Sequence, residues 1–236
     1  MKRFKNPSCL AAIYLAAAIN VPTSAQDTST PKQEEKSAVG QPNEAAMMAT
    51  MMELAKPGEN HKMLEEMVGT WTYKVKFWTS PDTNTPPMES SGTALTKSTM
   101  GGRYFISEHK GKMQMPGPEG KMQEAEFNGM AVEGYDNVKK KFVSSWIDNM
   151  GTGIMHSEGV YDPASKTLTY ESEYEPMPGV KTKVRELVTI ADRDHHTMEY
   201  FEDQGGREVK TMEIAYTRAG QSPLHSAAAS APKTSD

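Results

Sequence analysis

The side chains of this sequence that could do chemistry are its histidines, carboxylates and methionines. His61 precedes the strand-rich region, His109 and His156 lie in alternating segments, and His195-His196 sit at a turn. Neutral imidazole can ligate zinc or haem iron, which makes His156 and His196 the candidate metal or single-histidine haem ligands. No close pair has the i, i+2 or i, i+4 spacing of a zinc site, and adjacent histidines on a strand face opposite ways. Histidines at the surface or held by hydrogen bonds are therefore the favoured reading. His156 could also join Asp148, Glu108 and Glu158 in a buried group suited to acid–base work in a hydrolase or isomerase, if their pKa values were split. A structural polar network or exposed charge explains the same residues more simply. With no nucleophile elbow, P-loop or G-x-G-x-x-G, the chain reads as a binding protein rather than an enzyme, and no catalytic residue is assigned.

Methionine is frequent, 18 of 236 residues. Met47-Met48 and Met51-Met52 fall on one helical stretch, and Met113-Gln114-Met115 adds another pair. Thioethers select Cu(I), but methionine is more often an adaptable filler, so the stripe is expected to pack across a barrel mouth or on a partner. No cofactor is expected; haem and copper are the alternatives.

The ends of the chain set the context. Lys2, Arg3 and Lys5 precede an apolar run from Cys9 to Val21, and Thr23-Ser24-Ala25 offers a small residue before Gln26. That is the order of a cleavable signal peptide over 1–25, with export to a periplasm or the extracellular space after cleavage near Ala25. The run is shorter than the roughly 20 residues that span a bilayer. Removing this leader takes the net charge from −5 to −8 and removes the single cysteine. A thiol nucleophile is thereby excluded, and nucleic acid and anionic membranes become poor partners, because both need clustered cations. Residues 26–43 read as a disordered tether and 219–236 as a mobile tail.

Between these ends, Glu44 to Lys56 carries apolar residues at spacings of three and four, the pattern of one amphipathic helix ended by Pro57-Gly58. Asn60 to Val68 can add a second turn within a helical segment over 44–68. From Gly69 to Arg218 the period is two. The strands expected start at Trp71–Phe77, Thr93–Thr99, Arg103–Lys110, Met130–Tyr135 and Lys141–Asp148. They continue at Ile154–Tyr161, Thr167–Tyr174, Lys181–Ile190, Thr197–Glu202 and Glu208–Arg218. Short turns between them force antiparallel neighbours. About ten such strands leave two bare edges unless the sheet closes, so an all-β meander barrel is favoured over a two-sheet sandwich.

A barrel has a lumen, and neither strand face is purely apolar, which suits a lumen holding a ligand beside a few polar groups. The lumen candidates are Tyr104, Phe142, Trp146, Asp148, His156 and Glu158, for a small, partly apolar ligand. Gly69-Thr70-Trp71 opens the first strand and Arg218 closes the last, so closure would set a guanidinium over an indole. That pairing resembles the one in lipocalins. Small ten-stranded barrels similar to nitrobindin hold haem through one histidine, which is how His156 or His196 would serve. The stretches LEEMVGTW (Leu64–Trp71), MGGRYFISE (Met100–Glu108), EGYD (Glu133–Asp136) and SWIDNMGTG (Ser145–Gly153) resemble the bacterial family known as domain of unknown function 1579. The likeness runs from about Glu44 to Arg218. It implies a lipocalin-like barrel and supplies no activity.

Overall fold

A computed structural model describes residues 43–80, 85–117 and 120–220. The expected leader, nearly all of the tether, the tail beyond Gly220 and the turn at 81–84 lie outside the described residues. The chain forms α1 (Glu44–Leu54) and α2 (Glu59–Glu65), then ten strands. These are β1 (Gly69–Phe77), β2 (Met88–Thr99), β3 (Tyr104–Pro116), β4 (Met122–Asp136), β5 (Lys141–Asp148), β6 (Met155–Asp162), β7 (Thr167–Met177), β8 (Val180–Ile190), β9 (His195–Asp203) and β10 (Glu208–Arg218). Each strand pairs antiparallel with its sequence neighbours and β1 pairs with β10, so the sheet is a closed meander barrel. Closure pairs every edge, the favourable end state of an up-and-down sheet.

Local chemistry makes the turns. The Asp136 carboxylate accepts from the amides of Val138 and Lys139, and Asp162 does the same for Ala164 and Ser165. Each aspartate thus imitates a backbone turn and reverses the chain within a few residues. The strands β2, β3 and β4 run longer than their alternation implies. β3 continues through Gly111 to Pro116 and pairs with β4 along its whole length. Gly, Lys, Gln and Pro are weak strand formers, and ladder pairing with a committed neighbour overrides that preference.

Register assigns the faces. Trp71 and Tyr73 are buried, and following their partners around the barrel puts Ala94, Phe105, Ser107, Ala131, Phe142, Ser157, Tyr170, His196 and Tyr216 on the same inner side. Inner residues near the start of β1 and the end of β10 are fully buried. Further along the same inner rows, Val75, Phe127, Trp146, Tyr174 and Tyr200 are only half-buried. The barrel is therefore packed shut at one end and looser toward the other.

The shut end has two layers. Leu64 of α2 packs with Phe105, Phe142, Leu168 and Tyr170 as a plug. Above the seam, Trp71, Tyr73, Ala94, Ile214 and Tyr216 form a second cluster. The methionine stripe of α1 does not cover a mouth: no residue of α1 is buried, and Met47, Met48, Met51 and Met52 are each more than half exposed. Among the described residues the helix is tied down only at its end, where Asn137 Nδ2 donates to the carbonyls of Leu54 and Lys56 and Arg103 Nε donates to that of Ala55. It turns away there because Pro57-Gly58 break the helix and α2, which follows them, supplies the plug.

The expected Trp71–Arg218 contact is present. The guanidinium lies 4.2 Å from the indole centroid and donates to the carbonyls of Val68, Glu66 and Arg193. Gly69 is what lets it pass. Its φ is 139°, and a Cβ there would collide with Nη1 of Arg218.

Candidate functional site

The six lumen candidates divide between the two faces. Phe142, Trp146 and Asp148 point inward. Phe142 is part of the plug, and Trp146 fills space that Gly129 leaves open, where a Cβ would collide with the indole. Asp148 accepts from Trp146 Nε1 at 2.8 Å and from the Met150 amide at 2.9 Å, so it fixes the indole and caps a turn. Tyr104, His156 and Glu158 point outward, a correction to the lumen assignment. Tyr104 is 42% exposed, His156 Nδ1 meets Ser145 Oγ on the outer wall, and Glu158 pairs with Lys139 at 2.6 Å. The cause is low contrast: Val132, Ile147 and Val160 are exposed apolar residues on the outer wall, so apolarity alone misassigns strands β3 and β6.

The proposed carboxylate–histidine group does not assemble. Glu108, His156 and Glu158 are outside while Asp148 is inside. Haem and metal find no seat at the two named histidines either. His156 is on the outer wall. His196 is buried with its ring stacked 4.4 Å from Tyr216 and edge-on 4.5 Å from Trp71, which leaves no room for a group on the imidazole. Among the described residues, no three His, Cys, Asp or Glu side chains converge as a metal centre.

The polar groups that do meet inside are ones periodicity did not single out. Glu133 on β4 and Glu186 on β8 both face the lumen. Burial holds each carboxyl up at about 7; for Glu186 the facing Glu133 adds to this, and for Glu133 an approach of the Tyr170 hydroxyl partly offsets it. Both are enclosed by the wall, yet each side chain keeps part of its surface uncovered, which sets them on free space inside the barrel. Tyr170 stays without a hydrogen bond of full geometry. Nearby, Ser107 Oγ lies between Thr96 Oγ1 at 2.9 Å and His109 Nε2 at 3.1 Å. Burial pushes His109 down to about 4, so it is neutral and a weak base at pH 7. One signal for the acids exists in the sequence: Glu133 is in phase with Ala131 and Tyr135, and Glu186 with Val184 and Val188.

Two surface concavities lie away from these carboxyls. One, of about 410 Å³, is at the shut end beside Glu65, Glu66 and Arg218. The other, of about 320 Å³, is on the β2–β4 side near Ser90, Lys112 and Glu124.

A closed ten-stranded antiparallel meander barrel, plugged at one end and carrying polar and aromatic side chains inside, defines the class of this protein. Within that class the chain belongs to the DUF1579 family, described as proteins of unknown function, whose model matches residues 56–218. No curated protein matches the sequence. Among the described residues no helix is long and apolar enough to cross a membrane.

Proposed function

We propose that this is an exported protein that binds a small, partly apolar ligand in its lumen without transforming it. One observation carries the reading: the inner wall passes from a dry plug to half-buried aromatic and polar side chains, with enclosed polar groups that lack protein partners. Buried polar atoms without partners cost free energy, and a ligand that satisfies them offsets that cost. Trp146, anchored by Asp148 and set against His109 and Phe127, offers a ring wall for the apolar part. The Ser107–His109 pair falls short of a nucleophile and base, because among the described residues no carboxylate partners the ring and the imidazole is held neutral by burial. Export is supported by the n-region, apolar run and small-residue site at the N-terminus.

Native mass spectrometry of protein purified from its own host is the test. A reproducible added mass, lost on denaturation, is expected. A bare polypeptide mass, together with no change in thermal midpoint on adding the host's small-molecule extract, would reject lumenal binding.

A further inference from the structure

The two interior glutamates come from opposite parts of the wall. Three strands separate β4 from β8 on one side and five on the other, yet the register turns both side chains into the lumen, where each keeps part of its surface uncovered. Among the described residues Glu186 makes no hydrogen bond or ion pair, and Glu133 no ion pair. The hydroxyl of Tyr170 is the independent sign of a missing occupant. Its side chain is more than nine-tenths buried, lies within the field of the two acids, and approaches Glu133 without making a hydrogen bond of full geometry. The other titratable groups around this space are Tyr174 from β7, Tyr200 and Glu202 from β9, Tyr216 from β10, Tyr73 from β1 and His109 from β3. Strands β2, β5 and β6 present Thr96, Ser144 and Ser157 at this level, with Asp148 further along β5. No lysine or arginine enters, and His109 and His196 are neutral because burial holds them at about 4 and about 3.

The space therefore holds two acids and several ring faces with no counter-charge. A carboxylate buried alone is costly, and a protein gains nothing in stability by keeping two. We infer that the lumen ligand is an organic cation, an amine or quaternary ammonium on a partly apolar body, with its charge set between Glu133 and Glu186. This rests on the lumenal-binding reading and names its ligand class. A cation between the two carboxylates supplies the counter-charge that each lacks. A calcium ion would need about six or more oxygen ligands, and the acids here supply too few. The chain's net charge of −5 favours the approach of cations. Ligand charge couples to protons, since a bound cation draws the carboxyls into their ionised form.

Isothermal titration calorimetry of the purified protein with four probes of similar size tests this. The probes are phenyltrimethylammonium, 2-phenylethylamine, the neutral 3-phenylpropan-1-ol and the anionic 3-phenylpropanoate. Both cations should bind at pH 8 about tenfold or more tighter than the alcohol and weaken about tenfold at pH 5.5, where the acids are protonated. Glu186→Gln and Glu133→Gln, checked as folded by near-ultraviolet circular dichroism, should each lose that advantage while leaving the alcohol unchanged. The pH arm needs no variant. The cation assignment is overturned if the alcohol binds as tightly as the cations, if affinity is unchanged in both folded variants, or if no probe binds. A host adduct that is neutral or anionic overturns it too, while leaving lumenal binding intact; absence of any adduct and of any extract effect rejects lumenal binding itself.

Discussion

Glu133, Glu186, His109 and His196 are four titratable side chains that face one lumen, and their environments pull stability in opposite directions with pH. Burial raises the two carboxyls from 4.5 to about 7, the Glu133 charge adding for Glu186. The folded state then holds more protons than the unfolded chain between those values. Their stabilising contribution is whole below about 4.5 and is lost as pH rises through 7. Burial lowers His109 from 6.5 to about 4 and His196 to about 3, with Arg218 and His109 adding for His196. That contribution is whole above 6.5 and is lost as pH falls through 4 toward 3. Glu186→Gln is predicted to stabilise the protein at pH 8 by about 2 kcal/mol and to change little at pH 4. Urea unfolding at the two pH values measures this, and an equal gain at both would mean that the carboxyl is not ionised by burial-sensitive titration at all.

At the scale of elements, the two helices look alike in sequence and differ in consequence. Both carry methionine and leucine at helical spacing, but only α2 buries a side chain into the barrel, through Leu64. Leu64 touches the Phe105, Phe142, Leu168 and Tyr170 layer, so its truncation leaves a cavity that this rigid wall cannot collapse. Leu64→Ala is predicted to cost about 2–4 kcal/mol, whereas Met51→Ala in α1 should cost less than about 0.5 kcal/mol. Chemical denaturation of the two variants side by side decides it; comparable losses would place α1 in the packed core after all. The helix over Glu44–Lys56 was legible from spacing and its break from Pro57-Gly58. That its methionine stripe stays exposed was not legible, because a one-dimensional stripe does not say whether a partner surface lies opposite.

For the molecule as a whole, the seam between β1 and β10 is what makes the sheet a barrel. Arg218 serves that seam three ways, through the Trp71 face, the carbonyls of Glu66, Val68 and Arg193, and the Asp194 carboxylate at 3.1 Å. Arg218→Ala is predicted to destabilise by about 1–3 kcal/mol, since the seam carbonyls, that of Val68 half-buried, lose their donor along with the cation–π contact. Hydrogen exchange adds a spatial check: amides of β1 and β10 should lose protection more than those of β3 and β4. Uniform loss along the sheet would argue against a seam-specific role.

Read from its residues alone, the chain declares its strands, its turns, its closure and even the Trp71–Arg218 contact, because alternation, turn chemistry and the need to pair edges are local or topological rules. The inner face of strands β3 and β6 was decided only by the tertiary structure. Tyr104, His156 and Glu158 looked suitable for a lumen, yet the ladder register puts them outside and brings Glu133 and Glu186 in. A period of two says that faces alternate; which one turns inward depends on partners far away in sequence, and on an outer wall apolar enough to mask the difference.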